Sequence, residues 1–267
     1  MSRYFAAFGG LCEIFAIDTP RSVVDAAVAW ARAQHHRFTR FEPESELSRF
    51  NNALPGHWVT VSDDLESLLR VGLDAYERSA GLVHIGVLPA LLAAGYTRTF
   101  EDGPTEAATQ DAKPPKPLPE LLEVKPGQAR LAKGAAVDLG GIAKGWLADR
   151  CVERLGQNAL ANFAGDLFGR GRGTTGEGWP VGFGNRTMLL RDMGAATSGT
   201  TKRRWGEGLH HLIDPRTGLP STTDLAELSV LAPTGADAEI LAKTALLMGR
   251  EAGIEWLEGK ALGWATP

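Results

Sequence analysis

The chain has 267 residues, 43% hydrophobic and 22% charged, with a formal net charge of −4 and two cysteines. That length exceeds one average domain, falls short of two, and suffices to bury a large core without cross-links. The acidic balance argues against a broad basic face for nucleic acid, and no run of about 18 apolar residues is present to form a membrane-spanning helix. Cys12 and Cys151 have neither disulfide-scaffold density nor zinc-site spacing and are expected in the core. Residues 1–17 hold one Arg, two glycines and then Glu13, a poor signal peptide. No lipoprotein-type box precedes Cys12, and a cytoplasmic location is expected.

In chain order, Phe5 to Ile17 reads as strand. Thr19-Pro20 reads as a helix cap followed by Pro in the first turn, with Val23, Val24, Ala27, Val28, Trp30 and Ala31 as the apolar stripe and an end near Gln34–His36. Residues 37–51 read as a polar segment. Ser62 caps a second helix with Asp63 and Asp64 in its first turn, where the helix dipole favours them. Leu65, Leu68, Leu69, Gly72, Leu73 and Tyr76 form its buried face. Residues 100–120 hold Pro104, Pro114, Pro115, Pro117 and Pro119 and read as an exposed loop or a divider between lobes. Short strands are expected around Leu121–Val124 and Ala129–Ala132, and close turns across Gly165 to Gly184. Asp237 reads as the cap of a helix running to about Met248.

The densest motif is Ala136-Val137-Asp138-Leu139-Gly140-Gly141-Ile142-Ala143-Lys144-Gly145-Trp146. It reads as a short apolar strand, a Gly-Gly turn and a helix start. Free N–H groups at such a start, glycines that admit close approach and Lys144 in the first turn suit a phosphate. The same pattern also serves a plain strand–turn–helix with a solvated lysine. Gly171-Arg172-Gly173-Thr174-Thr175-Gly176 matches a dinucleotide fingerprint as text, but Glu177-Gly178-Trp179-Pro180 cannot open the helix that fingerprint needs, so it reads as a hairpin turn. His35-His36 and His210-His211 are adjacent pairs whose side chains diverge on either a strand or a helix, so neither clamps one metal. His211 leads into Leu212-Ile213-Asp214-Pro215-Arg216-Thr217-Gly218-Leu219-Pro220, a strand entering a tight turn. A histidine there is either structural or a general base, since its ordinary pKa is near 6.5. Ala196 to Thr201 reads as a hydroxyl-rich turn, and Asp166 as holding the turn of Asn162-Phe163-Ala164-Gly165-Asp166.

Singly these motifs are weak; their order is specific. Ser-Glu-Leu-Ser-Arg-Phe-Asn (45–51), Asp-Leu-Gly-Gly-Ile-Ala-Lys-Gly (138–145), Asn-x-x-Gly-Asp (162–166), Thr-Ser-Gly (197–199) and His-Leu-Ile-Asp-Pro-Arg-Thr-Gly-Leu-Pro (211–220) follow one another as in the ApbE family of flavin transferases, which the chain resembles from about Phe5 to Gly249. The resemblance implies an α+β architecture of mixed sheets and packed helices. It implies one ApbE-like domain over residues 1–267, with two closely associated lobes around an FAD cleft. The implied activity moves FMN from FAD to a Thr or Ser hydroxyl of an acceptor protein and releases AMP. An FAD pyrophosphatase and a non-catalytic FAD-binding protein are the alternatives. By resemblance, Phe41, Asp138, Lys144, Ile213 and Asp214 would bind the flavin nucleotide, and His211 would be the base for the acceptor hydroxyl.

The chain departs from the family pattern in three places. Phe8-Gly9-Gly10 stands for Met-Gly-Thr, and His84 stands at an Asp position. In the helix that would hold Mg²⁺, Glu239 and Lys243 stand for Asp and Thr. Glu239 can supply an oxygen, whereas a protonated lysine has no acceptor. Its charge 4 Å from a dication would cost about 8 kcal/mol at an effective dielectric of ~20. Mg²⁺ is therefore expected to be weakly held or absent, with Lys243 turned to the phosphates or to solvent. Asp237 replaces Glu239 as candidate ligand if the alignment is two residues out of register.

Overall fold

The N-terminal apolar run doubles back on itself. Ser2–Ala7 and Gly10–Ala16 form an antiparallel hairpin, and the turn falls at Phe8 (φ 55°) and Gly9 (φ 73°). Two successive left-handed residues match the twist of a two-residue hairpin, which is why a single long strand does not form. The computed structural model describes residues 1–110, 112–183 and 186–266. Of the sequence expectations, Gly184, the last of the glycines after Gly165, and Asp111, within the proline-rich stretch, lie outside the described residues.

Helix α1 (Arg21–Phe38) buries Val24, Ala27 and Ala31 as its stripe requires. Thr19 does not cap it; its hydroxyl donates to the carbonyls of Ile17 and Leu155, at 3.1 Å each. The segment read as polar contains a short helix, α2 (Glu46–Asn51), capped by Ser45 Oγ, which accepts from the Ser48 N–H. Helix α3 (Asp63–Arg78) has the expected Ser62 cap and buries Leu65, Leu68, Leu69, Gly72 and Ala75. Helices α4 (Leu88–Ala93) and α5 (Leu118–Leu121) follow, each with Pro in its first turn. The strands Leu122–Lys125 and Gln128–Leu131 fall where expected.

Residues 136–139 are not a strand. Val137 exchanges both backbone groups with the Asn51 side chain, at 2.8 and 2.9 Å, and the Asp138 N–H donates to the Ile85 carbonyl at 2.8 Å. With these partners the segment joins no ladder. Helix α6 (Ala143–Leu155) then starts as predicted. Helix α7 (Gly235–Met248) is capped by Thr234 rather than Asp237: the Thr234 hydroxyl accepts from the Asp237 N–H and donates to its carboxylate. Helix α8 (Arg250–Leu257) follows, and among the described residues no helix is long and apolar enough to cross a membrane.

The chain divides into two compact units. The first comprises Met1–His35, Ile142–Ser198 and Leu225–Pro267. Its sheet has the spatial order Ser2–Ala7, Gly10–Ala16, Ala159–Phe163, Asp166–Arg170, Met193–Gly199, Glu227–Ala232, Gly263–Ala265. Ala196 to Gly199 thus lie in a strand, not in a turn, and Thr197 Oγ1 meets Ser229 Oγ at 2.8 Å. Within this unit α6 packs on α7, and their backbones touch at Gly145 and Gly235. A methyl group added at Gly145 would overlap the Gly235 carbonyl. Both cysteine thiols are fully buried, and burial pushes each pKa up to about 12, which keeps them inert.

The second unit comprises His36–Gly141 and Gly199–Asp224. It holds α2 to α5, a three-stranded sheet in which Gln128–Leu131 lies between Val59–Thr60 and Leu122–Lys125, and two small hairpins. One pairs Arg204–Trp205 with Leu209–His210, and the other pairs Ile213–Asp214 with Leu219–Pro220. Leu88, Leu91, Tyr96, Trp205 and Ile213 form an apolar cluster against which Phe41 packs.

Candidate active site

The second unit carries five of the residues singled out from the sequence: Phe41, Asp138, His211, Ile213 and Asp214. Two of them, Asp138 and Phe41, meet at a residue the sequence did not flag, Arg40. Its Nε donates to Asp138 Oδ2 at 2.8 Å, and its guanidinium lies 4.2 Å from the centre of the Phe41 ring and 4.6 Å from that of Tyr96. Phe41 and Tyr96 pack at 5.6 Å, Tyr96 and Trp205 at 5.4 Å, and Ile213 belongs to the same cluster. Asp138 is fixed twice over, by its backbone N–H to Ile85 and by Oδ1 accepting the Gly140 N–H at 2.9 Å. The Gly-Gly of the motif thus shapes the turn that aims Asp138 at Arg40. Burial raises the Tyr96 hydroxyl pKa and keeps it protonated; the charges of Arg203 and Arg40 act in the opposite direction.

Asp214 is held inside its own hairpin. Its carboxylate takes the Arg216 side chain in a fork, with Nη2 at 2.7 Å, and also the Arg216 backbone N–H. Its carbonyl accepts from Thr217 and Gly218, closing the tight turn expected from Asp-Pro…Gly. His211 is half-buried just before this hairpin, with its backbone N–H donating to the Arg203 carbonyl. Its neighbour His210 is structural. His210 is buried, Nε2 donates to the Ser221 carbonyl, Nδ1 accepts the Leu212 N–H, and burial lowers its pKa so that it stays neutral. The paired histidines therefore part in role, as the alternation of neighbours on an extended chain requires.

The first unit brings the other two residues, Lys144 and Glu239, into direct contact. Lys144 Nζ donates to Glu239 Oε1 at 3.0 Å and is ion-paired to Asp166. The Gly145 N–H donates to Glu239 Oε2 at 2.9 Å. Both carboxylates are almost fully buried. Asp166 thus serves as a counter-charge; the turn it was expected to hold is held by Asn162 Oδ1, which accepts from the Gly165 N–H. The anion-seeking start of α6 is filled by a carboxylate of the protein itself. Asp149, one turn further along α6 from Gly145, does the same for α7 by accepting the N–H groups of Gly235 and Ala236 at 2.7 and 3.0 Å.

The residues at Glu239 do not fit a divalent cation. Both Glu239 oxygens are committed, to an ammonium and to a backbone N–H. One turn on along α7, Lys243 offers no lone pair. Among the described residues no group of three or more His, Cys, Asp or Glu is placed to hold a metal. The positive charge at this place is that of Lys144.

The helices and antiparallel sheets make this the expected α+β protein, with an arginine set among aromatic rings in one unit and a buried lysine–carboxylate cluster in the other. The ApbE family pattern matches residues 8–264, and the chain belongs to the ApbE family. It is similar to the FAD:protein FMN transferase of Treponema pallidum, with 29% identity over 94% of this chain and 79% of that protein. It is also similar to that of Haemophilus influenzae, with 27% identity over 83% and 71%. Among solved structures, an ApbE protein of Thermotoga maritima superimposes with a TM-score of 0.84 at 22% identity, over 98% of this chain and 92% of that one. The apo flavinyl transferase ApbE of Pseudomonas stutzeri does so at 0.82 and 20%, over 100% and 94%.

Proposed function

We propose that this chain is a flavin transferase: it takes FAD as substrate and moves the FMN half to a Thr or Ser hydroxyl of an acceptor protein, releasing AMP. The observation that carries this reading is the family match across nearly the whole chain, together with relatives named FAD:protein FMN transferase. The placement of side chains supports it. Phe41 and Asp138, far apart in sequence, meet at Arg40, and Ile213 shares an apolar cluster with Tyr96, against which Phe41 packs; ring faces and directed donors of this kind suit a flavin nucleotide.

In this reading His211 accepts the proton of the acceptor hydroxyl. The freed oxygen attacks the phosphorus on the FMN side, the bond from that phosphorus to the bridging oxygen breaks, and AMP leaves with the electron pair. The proton on His211 then passes to AMP or solvent. Such a transfer depends on positioning and charge neutralisation more than on covalent chemistry. No step is routed through a metal, because Glu239 is already paired with Lys144 and Gly145. The direct test is product analysis after mixing the protein with FAD and a Thr-containing acceptor peptide. A flavinylated peptide supports the reading, FMN and AMP without peptide modification would make the protein a hydrolase, and intact FAD would make it a binding protein.

A further inference from the structure

We propose that Arg40 is a substrate-binding residue whose Nη2 donates to an oxygen of the flavin nucleotide; the proposal rests on the flavin reading above. The side chain of Arg40 is only 5% exposed, yet its Nη2 is buried and has no hydrogen-bond partner among the described residues. Buried polar groups are almost always paired, and a buried donor left over calls for a reason.

A purely structural role does not supply that reason. An arginine that only braces a carboxylate would use its fork, with two parallel N–H bonds to two oxygens. Asp138 does not complete the fork: Oδ1 accepts the Gly140 N–H, and Oδ2 meets only the Arg40 Nε. The guanidinium also lies against the rings of Phe41 and Tyr96, 4.2 and 4.6 Å from their centres. The result is a donor whose direction is set by three neighbours and whose second arm is unspent. Such a rigid arm loses little freedom on binding and suits a planar or anionic oxygen acceptor.

The neighbours indicate what the arm meets. Phe41 and Ile213 are positions at which the resemblance places the flavin nucleotide; Ile213 belongs to the apolar cluster and Phe41 packs against it, while Arg40 lies on the rings of Phe41 and of the cluster's Tyr96. The acceptor is an oxygen carried by that nucleotide, either a phosphate oxygen or a ring carbonyl. Asp138 is a positioning residue in this arrangement, because it aims Arg40 and neutralises its charge.

The test compares wild type with R40K and R40Q by titration calorimetry, using FAD, riboflavin and ADP as separate probes. Lysine keeps the charge and the stem but lacks the fork. Loss of one charge-assisted hydrogen bond is expected to weaken FAD binding by about 10- to 100-fold in R40K. If the acceptor is a ring carbonyl, riboflavin weakens equally and ADP does not; if it is a phosphate oxygen, ADP weakens and riboflavin does not. Wild-type affinity for all three probes in both variants would overturn the proposal while leaving the flavin reading intact. No FAD binding by wild type would overturn both. A second measurement needs no variant. In ¹⁵N-arginine-labelled wild type, FAD is expected to shift the Arg40 Nη2 resonance by NMR, and an unmoved resonance at saturating FAD would contradict the assignment.

Discussion

The ammonium of Lys144 stands between two buried carboxylates, 3.0 Å from Glu239 Oε1 and in an ion pair with Asp166. A cluster of two anions and one cation in low dielectric depends on the cation, because each carboxylate lost its hydration on folding. Lys144→Met leaves Asp166 and Glu239 facing each other and is expected to cost about 3–5 kcal/mol. Glu239→Gln leaves Lys144 paired with Asp166 and still offers an oxygen, so its cost is expected at about 1–3 kcal/mol. Urea unfolding at neutral pH measures both. A larger loss for Glu239→Gln than for Lys144→Met would contradict this assignment of charges.

The same pairing bears on metal dependence. Because Glu239 is committed and Lys243 has no acceptor, flavin transfer is expected to proceed unchanged in excess chelator. Titration of the FAD complex with Mg²⁺ is expected to show no micromolar binding. Micromolar binding heat, or activity abolished by chelator and restored by Mg²⁺, would show that Glu239 exchanges Lys144 for the ion.

Asp149 gives the first unit a pH dependence of definite sign. Burial is the largest cause that raises its pKa, from 3.8 to about 7, against the two backbone N–H groups that favour its charged form. The folded state therefore holds this proton more tightly than the unfolded chain does. Below 3.8 both states are protonated; as pH rises from 3.8 to about 7 the unfolded chain releases the proton first, and stability falls, by at most about 1.4 kcal/mol per pH unit. Asp149→Asn lacks the proton equilibrium. Denaturation from pH 4 to 7 is expected to lose this downward component in the variant, and an identical pH slope in the two proteins would remove Asp149 as its source.

His211→Ala is expected to bind FAD as wild type does and to lose transfer by about 10²- to 10⁴-fold, the usual scale of a general base. Binding by calorimetry and transfer by peptide mass separate the two effects. Unchanged transfer would take His211 out of the mechanism and return it to a structural role beside His210.

Much of the local structure was legible in the sequence. The Ser62 cap, the α1 stripe and the Asp-Pro…Gly hairpin each follow from chemistry within a few residues. What escaped were features fixed by distant partners. Residues 136–139 look like a strand, yet the Asn51 side chain, 86 positions away, takes both backbone groups of Val137. α2 has only six residues, too few to show a period. His84 at an Asp position reads as a departure, but it fills the acceptor's place: Nδ1 accepts the Gly86 N–H at 3.0 Å, Nε2 donates to the Lys116 carbonyl, and burial lowers its pKa so that it stays neutral. Arg40 carries no motif of its own. Its importance lies in Asp138, Phe41 and Tyr96 converging on it, and the one available clue was an arginine beside the aromatic residue expected at the flavin.

The most direct test of the proposed activity is the ratio of AMP released to peptide modified. The purified protein is mixed with FAD and a Thr-containing acceptor peptide, AMP and FMN are followed by chromatography, and peptide mass by spectrometry. A flavin transferase gives one AMP for each peptide that gains one FMN, with no free FMN. AMP accompanied by free FMN and an unmodified peptide, or FAD that remains whole, would contradict the assignment.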